Sequence, residues 1–473
     1  MQDSTTITSE KLYYDGNGRT AKLRGNVVYV DDTIRLFTDN LDYDLINKSA
    51  TYFGGGKIVD GVNTMTSLKG DYDKVSNIFI FNDSVKLITP DYTLESNDLV
   101  YNIVTKKARI STKSKIVTTD GIILHAEEGS EFDTTEGTYA FQAGKIDTEK
   151  YIIEGRRLFY NQKLGSYSAI GNVKLFAKED DIIITGDEAN YWEDKGIAEV
   201  YGEPLLKRVM AEDTLYLRAD TLVSIDDSLE VNKRLLAFHN VKIFKSDLQG
   251  KADSLAYFLS DSSIIFYQDP ILWNDGSQIT ADTIQILVKN GSIDQLFAKV
   301  NSFIISEDST SNYNQIKGRM MTAFFDGKSI KNVDVTGNGE TIYWVADEEN
   351  TSKVVGMNKI ICTNMKIGFV DNQVDDIRIY ITPDGDFIPP HELKDDQKLL
   401  DGFAWRVEER PTFRSIIIAP SEAERLRKKA EEIYQEELLD QSQQTEQLLK
   451  ENKEIKSVQD KLQNTENQKL QQQ

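Results

Sequence analysis

A short phrase, a small polar turn followed by an alternating strand, returns along most of this chain. It reads GNVVYV at Gly25–Val30, NDSVKL at Asn82–Leu87, GNVKLF at Gly171–Phe176 and HNVKIF at His239–Phe244. GEPLLK at Gly202–Lys207 and QDPILW at Gln268–Trp273 are variants with Pro204 and Pro270 in the valine position. A second phrase alternates with it: DNLDY at Asp39–Tyr43, NDLVY at Asn97–Tyr101, RRLFY at Arg156–Tyr160, DEANY at Asp187–Tyr191, DTLVS at Asp220–Ser224, DSLAY at Asp253–Tyr257 and DTIQI at Asp282–Ile286. With weaker copies near Asp71–Asp73 and Glu131–Asp133, the copies recur about 26–33 residues apart, the spacing of stacked repeat arrays rather than of unrelated globular domains.

Within each copy the apolar period is two, which is the pattern of a half-buried strand bounded by Asn, Asp and Gly turns. Such a unit cannot bury its apolar face alone, but stacked copies can. The expected fold is therefore all-β: about 11 short antiparallel repeats, either as two sheets folded on each other or as a closed coil of strands. A Gly or Ala stands before the recurrent Asp in GDEANY, RADTL, KADSL and TADTI, where a strand could bend between sheets. We expect residues 1–9 to be a flexible N-terminus and residues 10–300 to be regular repeats. Residues 301–385 should be further, less regular repeats, followed by a linker over 386–418. The composition then changes. PSEAERLRKKAEEIYQEELLDQ predicts a helix over 419–440, with Ser421 able to cap it and Glu424 in the capping-box position. Residues 441–473 are Gln-rich and lack an apolar seam, which suits a loose helix or disorder.

The bulk numbers exclude several functions. A net charge of −22 repels nucleic-acid phosphates, so no nucleic-acid partner is expected. One cysteine, Cys362, permits neither an intrachain disulfide nor a cysteine-built zinc site. Carboxylates are plentiful but fall in turns at repeat spacing, and no phosphate loop, nucleophile elbow or metal-ligand spacing appears. No enzyme activity, metal or cofactor is expected. No run reaches the roughly 20 apolar residues of a membrane span. The polar start MQDSTTITSE shows no signal peptide, as would also be true of a mature exported chain given a start methionine.

What remains distinctive is the apolar stripe. Leu41, Tyr43, Leu99, Tyr101, Leu158, Tyr160, Tyr191, Leu222, Leu255, Tyr257, Ile284 and Ile286 share one phase, and Val85, Val173, Leu175 and Val241 share that of the facing strands. They are either a packed core or the lining of a trough that does not fully close. On the first alternative the chain is a periplasmic or surface β-repeat scaffold or adhesin with a closed core; on the second it holds apolar chains. A glycan-active enzyme on a β-solenoid is a third reading, though the acids are spread evenly rather than clustered.

The alternation seen in SYSAIGNVKLFAKEDDIIITGDEANY resembles the OstA-like (LptA-like) repeat of lipopolysaccharide-transport proteins. That family comprises periplasmic bridge proteins and the N-terminal domain of the outer-membrane translocon LptD. The resemblance covers most of residues 10–300 and extends to about 385; in its acidic, Tyr-rich style it is similar to OstA-like proteins of Bacteroidota. It extends neither to a β-barrel nor to the C-terminal tail. It implies a long, twisted, open β-jellyroll with a V-shaped groove. Acyl chains of lipopolysaccharide would lie against the sixteen stripe residues named above, with sugars and phosphates outside. It further implies a periplasmic location associated with the outer membrane. Other jellyroll proteins of the transport system would join end to end through edge strands, which could also mediate self-association.

Overall fold

The fold was analysed in a computed structural model. It describes residues 5–417, apart from 32, 179–180, 211–212, 275, 290, 309, 328, 348–352 and 371–372. The chain is nearly all β, with 31 antiparallel strands in one hydrogen-bonded sheet among the described residues. The first long strands, Thr20–Asp31, Ile34–Asp44, Ser49–Asp60, Asn63–Asp73, Ile78–Ile88 and Tyr92–Asn102, each pair with their neighbours in sequence. Each is broken near its middle by a register shift, as between Arg24 and Val27 or between Asn82 and Val85. The break splits every strand into two arms. Arms such as 20–24, 41–44 and 69–73 build one layer, and arms such as 27–31, 34–38 and 56–60 build the other. The layers face each other: the ring of Tyr29 in the second lies 6.2 Å from Tyr43 and 6.1 Å from Tyr72 in the first.

The recurring GNV phrase is the corner between layers. Gly25 and Asn26 have φ of 77° and 43°, Gly171 and Asn172 78° and 52°, and Gly337 and Asn338 77° and 53°. Two successive left-handed residues redirect the strand, and Gly and Asn take that conformation at the least cost. The recurrent aspartate fastens the corner of a neighbouring strand. Asn26 N–H donates to Asp39 Oδ1 at 3.3 Å, Asn240 Nδ2 to Asp220 Oδ2 at 2.8 Å, and Asn301 Nδ2 to Asp282 Oδ1 at 3.1 Å.

The register carries one row of inward residues through the first layer, strand by strand. It runs Tyr43, Ala50, Tyr72, Phe79, Tyr101, Ala108, Phe132, Tyr139, Tyr160, Tyr167 and Tyr191. It continues through Ala198, Ser224, Leu235, Tyr257, Ile264 and Ile286. Leu41, Leu99, Leu158, Leu222, Leu255 and Ile284 stand two residues earlier in their strands and form a second, parallel row nearer the corners.

Two expected boundaries shift. Residues 6–8 of the expected flexible start are a strand, Thr6–Thr8, paired with Val28–Val30. Around and beyond residue 300 the strands are longer: Ser292–Glu307, Tyr313–Asp326, Ser329–Ala346 and Val354–Val370 have 16, 14, 18 and 17 residues. Most of the expected linker is bound to the sheet. Over 394–410 it forms a strap across the outer face of the second layer, where the register aligns Gln249, Trp273, Gln278, Ile305, Gln315 and Ile342 in one row. The three glutamines are 3%, 0% and 0% exposed, and each bonds to the strap. Gln315 receives Leu400 N–H at 2.8 Å and donates to Lys398 O at 2.9 Å. Gln278 receives Arg406 N–H and donates to Ala404 O, both at 2.7 Å. Gln249 accepts from Arg410 Nε at 2.8 Å. Leu400, Phe403 and Trp405 pack with Phe303, Ile305, Ile342 and Trp344 in a cluster separate from the main core.

A second compact unit begins at Phe413, and of it only the short helix Phe413–Ile417 is described. The helix expected over 419–440 and the Gln-rich tail of 441–473 lie outside the described residues.

Candidate functional site: an apolar cavity between the layers

Over residues 20–190 the space between the layers is filled. Leu41, Val85, Leu99, Tyr101, Leu158, Tyr160, Val173 and Leu175 are all at most 4% exposed, and Tyr43 and Tyr191 are half-buried against them. The aromatic row stacks on itself: Tyr72–Phe79 at 4.2 Å, Tyr139–Tyr160 at 5.5 Å, Tyr160–Tyr167 at 4.8 Å and Tyr167–Tyr191 at 5.6 Å between centroids. Each pair adds about 0.5–1.5 kcal/mol beyond its buried area. Burial disfavours the phenolate form, pushing Tyr52 and Tyr160 up to about 12 and Tyr29, Tyr92 and Tyr167 higher still. These rings are neutral packing groups across the physiological range.

At Ala198 the row changes character. Beyond Tyr191 the row runs through Ala198, Ser224, Leu235, Tyr257, Ile264 and Ile286, mostly non-aromatic residues. A cavity of about 360 Å³ opens here, within the size range of ligand pockets. The second layer contributes Leu206, Leu217 and Ile243; the first contributes Leu235, Leu255, Tyr257, Ile264, Phe266 and Ile286, with Val288, Ile293 and Phe325 beyond them. Of the sixteen stripe residues, Leu255, Tyr257 and Ile286 line this wall. Leu222, Val241 and Ile284 are buried beside it but are not part of the lining. Facing-strand residues such as Leu206 and Ile243 carry the same period-two signal, in copies of the GNV phrase already recognised.

The rim is polar, with Arg208, Lys245, Asp247 and Asn274. Lys245 Nζ lies 2.6 Å from Asp247 Oδ1 and 3.9 Å from Asp213 Oδ2. Burial opposes the charge of Asp213, but bonds from the Ser246 hydroxyl and from the Thr214 and Ser246 N–H groups outweigh it and hold the carboxyl below its usual range. A mostly aliphatic pocket with an ionic rim matches a molecule that is apolar at one end and polar at the other. Among the described residues no group of His, Cys, Asp and Glu could hold a metal ion, and no helix is long and apolar enough to cross a membrane.

Residues 1–98 match the protein family described as OstA-like protein. No curated protein matches the chain. Among solved structures it is similar to LptH from Pseudomonas aeruginosa, described as the LptA homologous periplasmic component of the conserved lipopolysaccharide transport device. The identity is 17%, the match covers 22% of this chain and 78% of that one, and the TM-score is 0.21.

Proposed function

We propose that this OstA-like chain is a lipopolysaccharide-transport bridge, which holds acyl chains between its two β layers while the polar head remains at the rim. The observation that carries this reading is the aliphatic cavity between the layers, lined by Leu206, Leu235, Tyr257 and Ile264 and edged by Lys245, Asp247 and Arg208. Each methylene buried there would contribute about 0.8 kcal/mol, so even part of one acyl chain gives useful affinity. In this reading the protein works in the periplasm, next to the outer membrane. Its partners are other jellyroll proteins of the transport system, added in register to an outer strand such as Lys11–Asp15, whose Leu12, Tyr13 and Tyr14 are all exposed. Self-association through the same strand is the homotypic form of that contact.

The test is photo-crosslinking to lipopolysaccharide from a photoreactive amino acid at Tyr257, at Ile264, or at the outward Lys174. Labelling at the first two and not at Lys174 is expected. The filled interior over 20–190 favours a second reading, a scaffold with a closed core whose outer surface binds proteins. Uniform labelling, or none at Tyr257 and Ile264, would select it.

A further inference from the structure

The outer face of the first layer carries a trough of about 740 Å³, separate from the cavity between the layers. Two outward rows, set by the strand register, form its floor. One runs Ala140, Phe159, Ser168 and Asn190, each beside the next on adjacent strands. The other, two residues away, runs Thr138, Asn161, Ser166 and Trp192. None of the eight is charged, in a chain whose net charge is −22. On earlier strands the same two rows carry Lys22, Asp42, Asp44, Asp71 and Asp73. Charge returns at one end of the trough as a neutralised pair, with Arg109 Nε 3.6 Å from Glu131 Oε1.

Phe159 stands between Ala140 and Ser168, so no large neighbour covers it from either adjacent strand, and it is 38% exposed. Trp192 is covered on one side by Lys195, whose Nζ is 5.5 Å from the ring centre. The hydroxyls of Thr138, Ser166 and Ser168 have no hydrogen-bond partner among the described residues. Asn190 Nδ2 donates to Glu188 Oε1 at 3.1 Å, which fixes the plane of its amide. A neutral floor gives nothing to a nucleic acid or an anionic head group, and one open ring among hydroxyls and amides is no apolar centre for a protein interface. A sugar offers the matching pair of surfaces: a C–H face for the ring, and hydroxyls that both donate and accept. We propose that this trough binds an uncharged, extended oligosaccharide, with one pyranose ring stacked on Phe159 and its neighbours hydrogen-bonded by Thr138, Ser166, Ser168 and Asn190. Strands lie about 4.8 Å apart, so the four uncharged strands span about 14 Å, room for a few pyranose rings end to end. The site does not depend on the cavity between the layers, and its failure would leave the lipid reading untouched.

The probes are cellohexaose and chitohexaose, two uncharged extended hexasaccharides, titrated into the purified full chain by calorimetry. Wild type should bind one equivalent of at least one of them. Phe159→Ala removes the platform and should weaken binding about tenfold or more. Ser168→Arg fills the middle of the trough and should abolish binding. Both positions face outward, so the β circular dichroism should not change. No binding of either sugar by the wild type overturns the proposal, as does binding that is unchanged in both variants. Should a variant fail to fold, the wild-type chain supplies a second readout. Of its four tryptophans, Trp273, Trp344 and Trp405 lie in or under the strap, so bound sugar should shield Trp192 alone from acrylamide quenching, and shielding of none refutes the site. Deacylated lipopolysaccharide, added as competitor, tells the two sources of such a sugar apart. Displacement of the hexasaccharide assigns the trough to the sugar chain of that lipid, and no displacement assigns it to a separate glycan.

Discussion

Gln278→Ala tests how the strap is held. The Gln278 side chain is fully buried and makes two bonds of 2.7 Å, one accepting Arg406 N–H and one donating to Ala404 O. Alanine removes both and supplies no substitute, leaving a backbone donor and a backbone acceptor against the apolar side chains of Trp273 and Ile305. An unsatisfied buried group costs about 1–3 kcal/mol, so the strap should lose about 2–5 kcal/mol of local stability. Every 1.4 kcal/mol is tenfold in an equilibrium constant, so its amides should exchange about 30-fold faster or more. Native-state hydrogen exchange gives two reporters: Arg406 N–H, which loses its acceptor directly, and Leu400 N–H, which is bound by Gln315 and untouched by the substitution. If the strap opens as a unit, both accelerate together. Acceleration at Arg406 alone would show independent anchors, and no acceleration at either would refute the assignment of Gln278 as an anchor.

Other outcomes follow from the same geometry. Val300 is a β-branched residue at a left-handed corner, φ 64°, and 45% exposed; Val300→Gly should stabilise the fold by about 1 kcal/mol in urea denaturation, relief of strain exceeding the small burial lost. Gly202 has φ 82°, and an added Cβ would come within 2.5 Å of Asp187 Cβ; Gly202→Ala should therefore destabilise by about 1–3 kcal/mol. Glu409 is held down to about 2 by its bond from Arg406 and by Lys251. Its folded pKa lies below its ordinary 4.5, so its contribution to strap docking is complete above about 4.5 and is lost as pH falls toward about 2. Pepsin cleavage within 394–410 should rise across that window, and Glu409→Gln should show the raised cleavage already at its upper end.

The rows of inward side chains are legible in the sequence because a strand's period of two is strict: Leu255 and Tyr257 cannot face opposite sides without a bulge between them. The corners are legible too, since GN in the GNV phrase supplies two residues suited to left-handed φ. The partner of each recurrent aspartate is not legible. Asp39 bonds to a corner 13 residues away and Asp220 to one 20 residues away, separations set by pairing rather than by any local pattern, so these acids read as ordinary turn formers. The cavity leaves no signal of its own, because its lining residues Leu235, Leu255 and Ile286 carry the same period-two pattern as the packed rows. The strap leaves almost none. TPDGDFIPPHELKDDQKLLDG has a linker's composition, and what holds it is three glutamines on other strands whose polarity suggests an exposed face.

The strap also imposes an order on assembly. The sheet adds each strand mainly to those nearby in the chain, so it can grow as a zipper, one short closure at a time. The strap does the opposite. Its bonds join residues 83 apart at Gln315, 126 apart at Gln278 and 161 apart at Gln249, so it retraces the stack towards earlier strands. Its complete docking site exists only after the strands carrying Gln249, Gln278 and Gln315 have all zipped in register, since a slip of one residue would turn those glutamines to the inner face. A chain halted before residue 398 would display Trp273, Ile305 and Ile342 uncovered. Strap docking can therefore be completed only on a correctly registered sheet, and a misregistered one keeps that apolar strip uncovered.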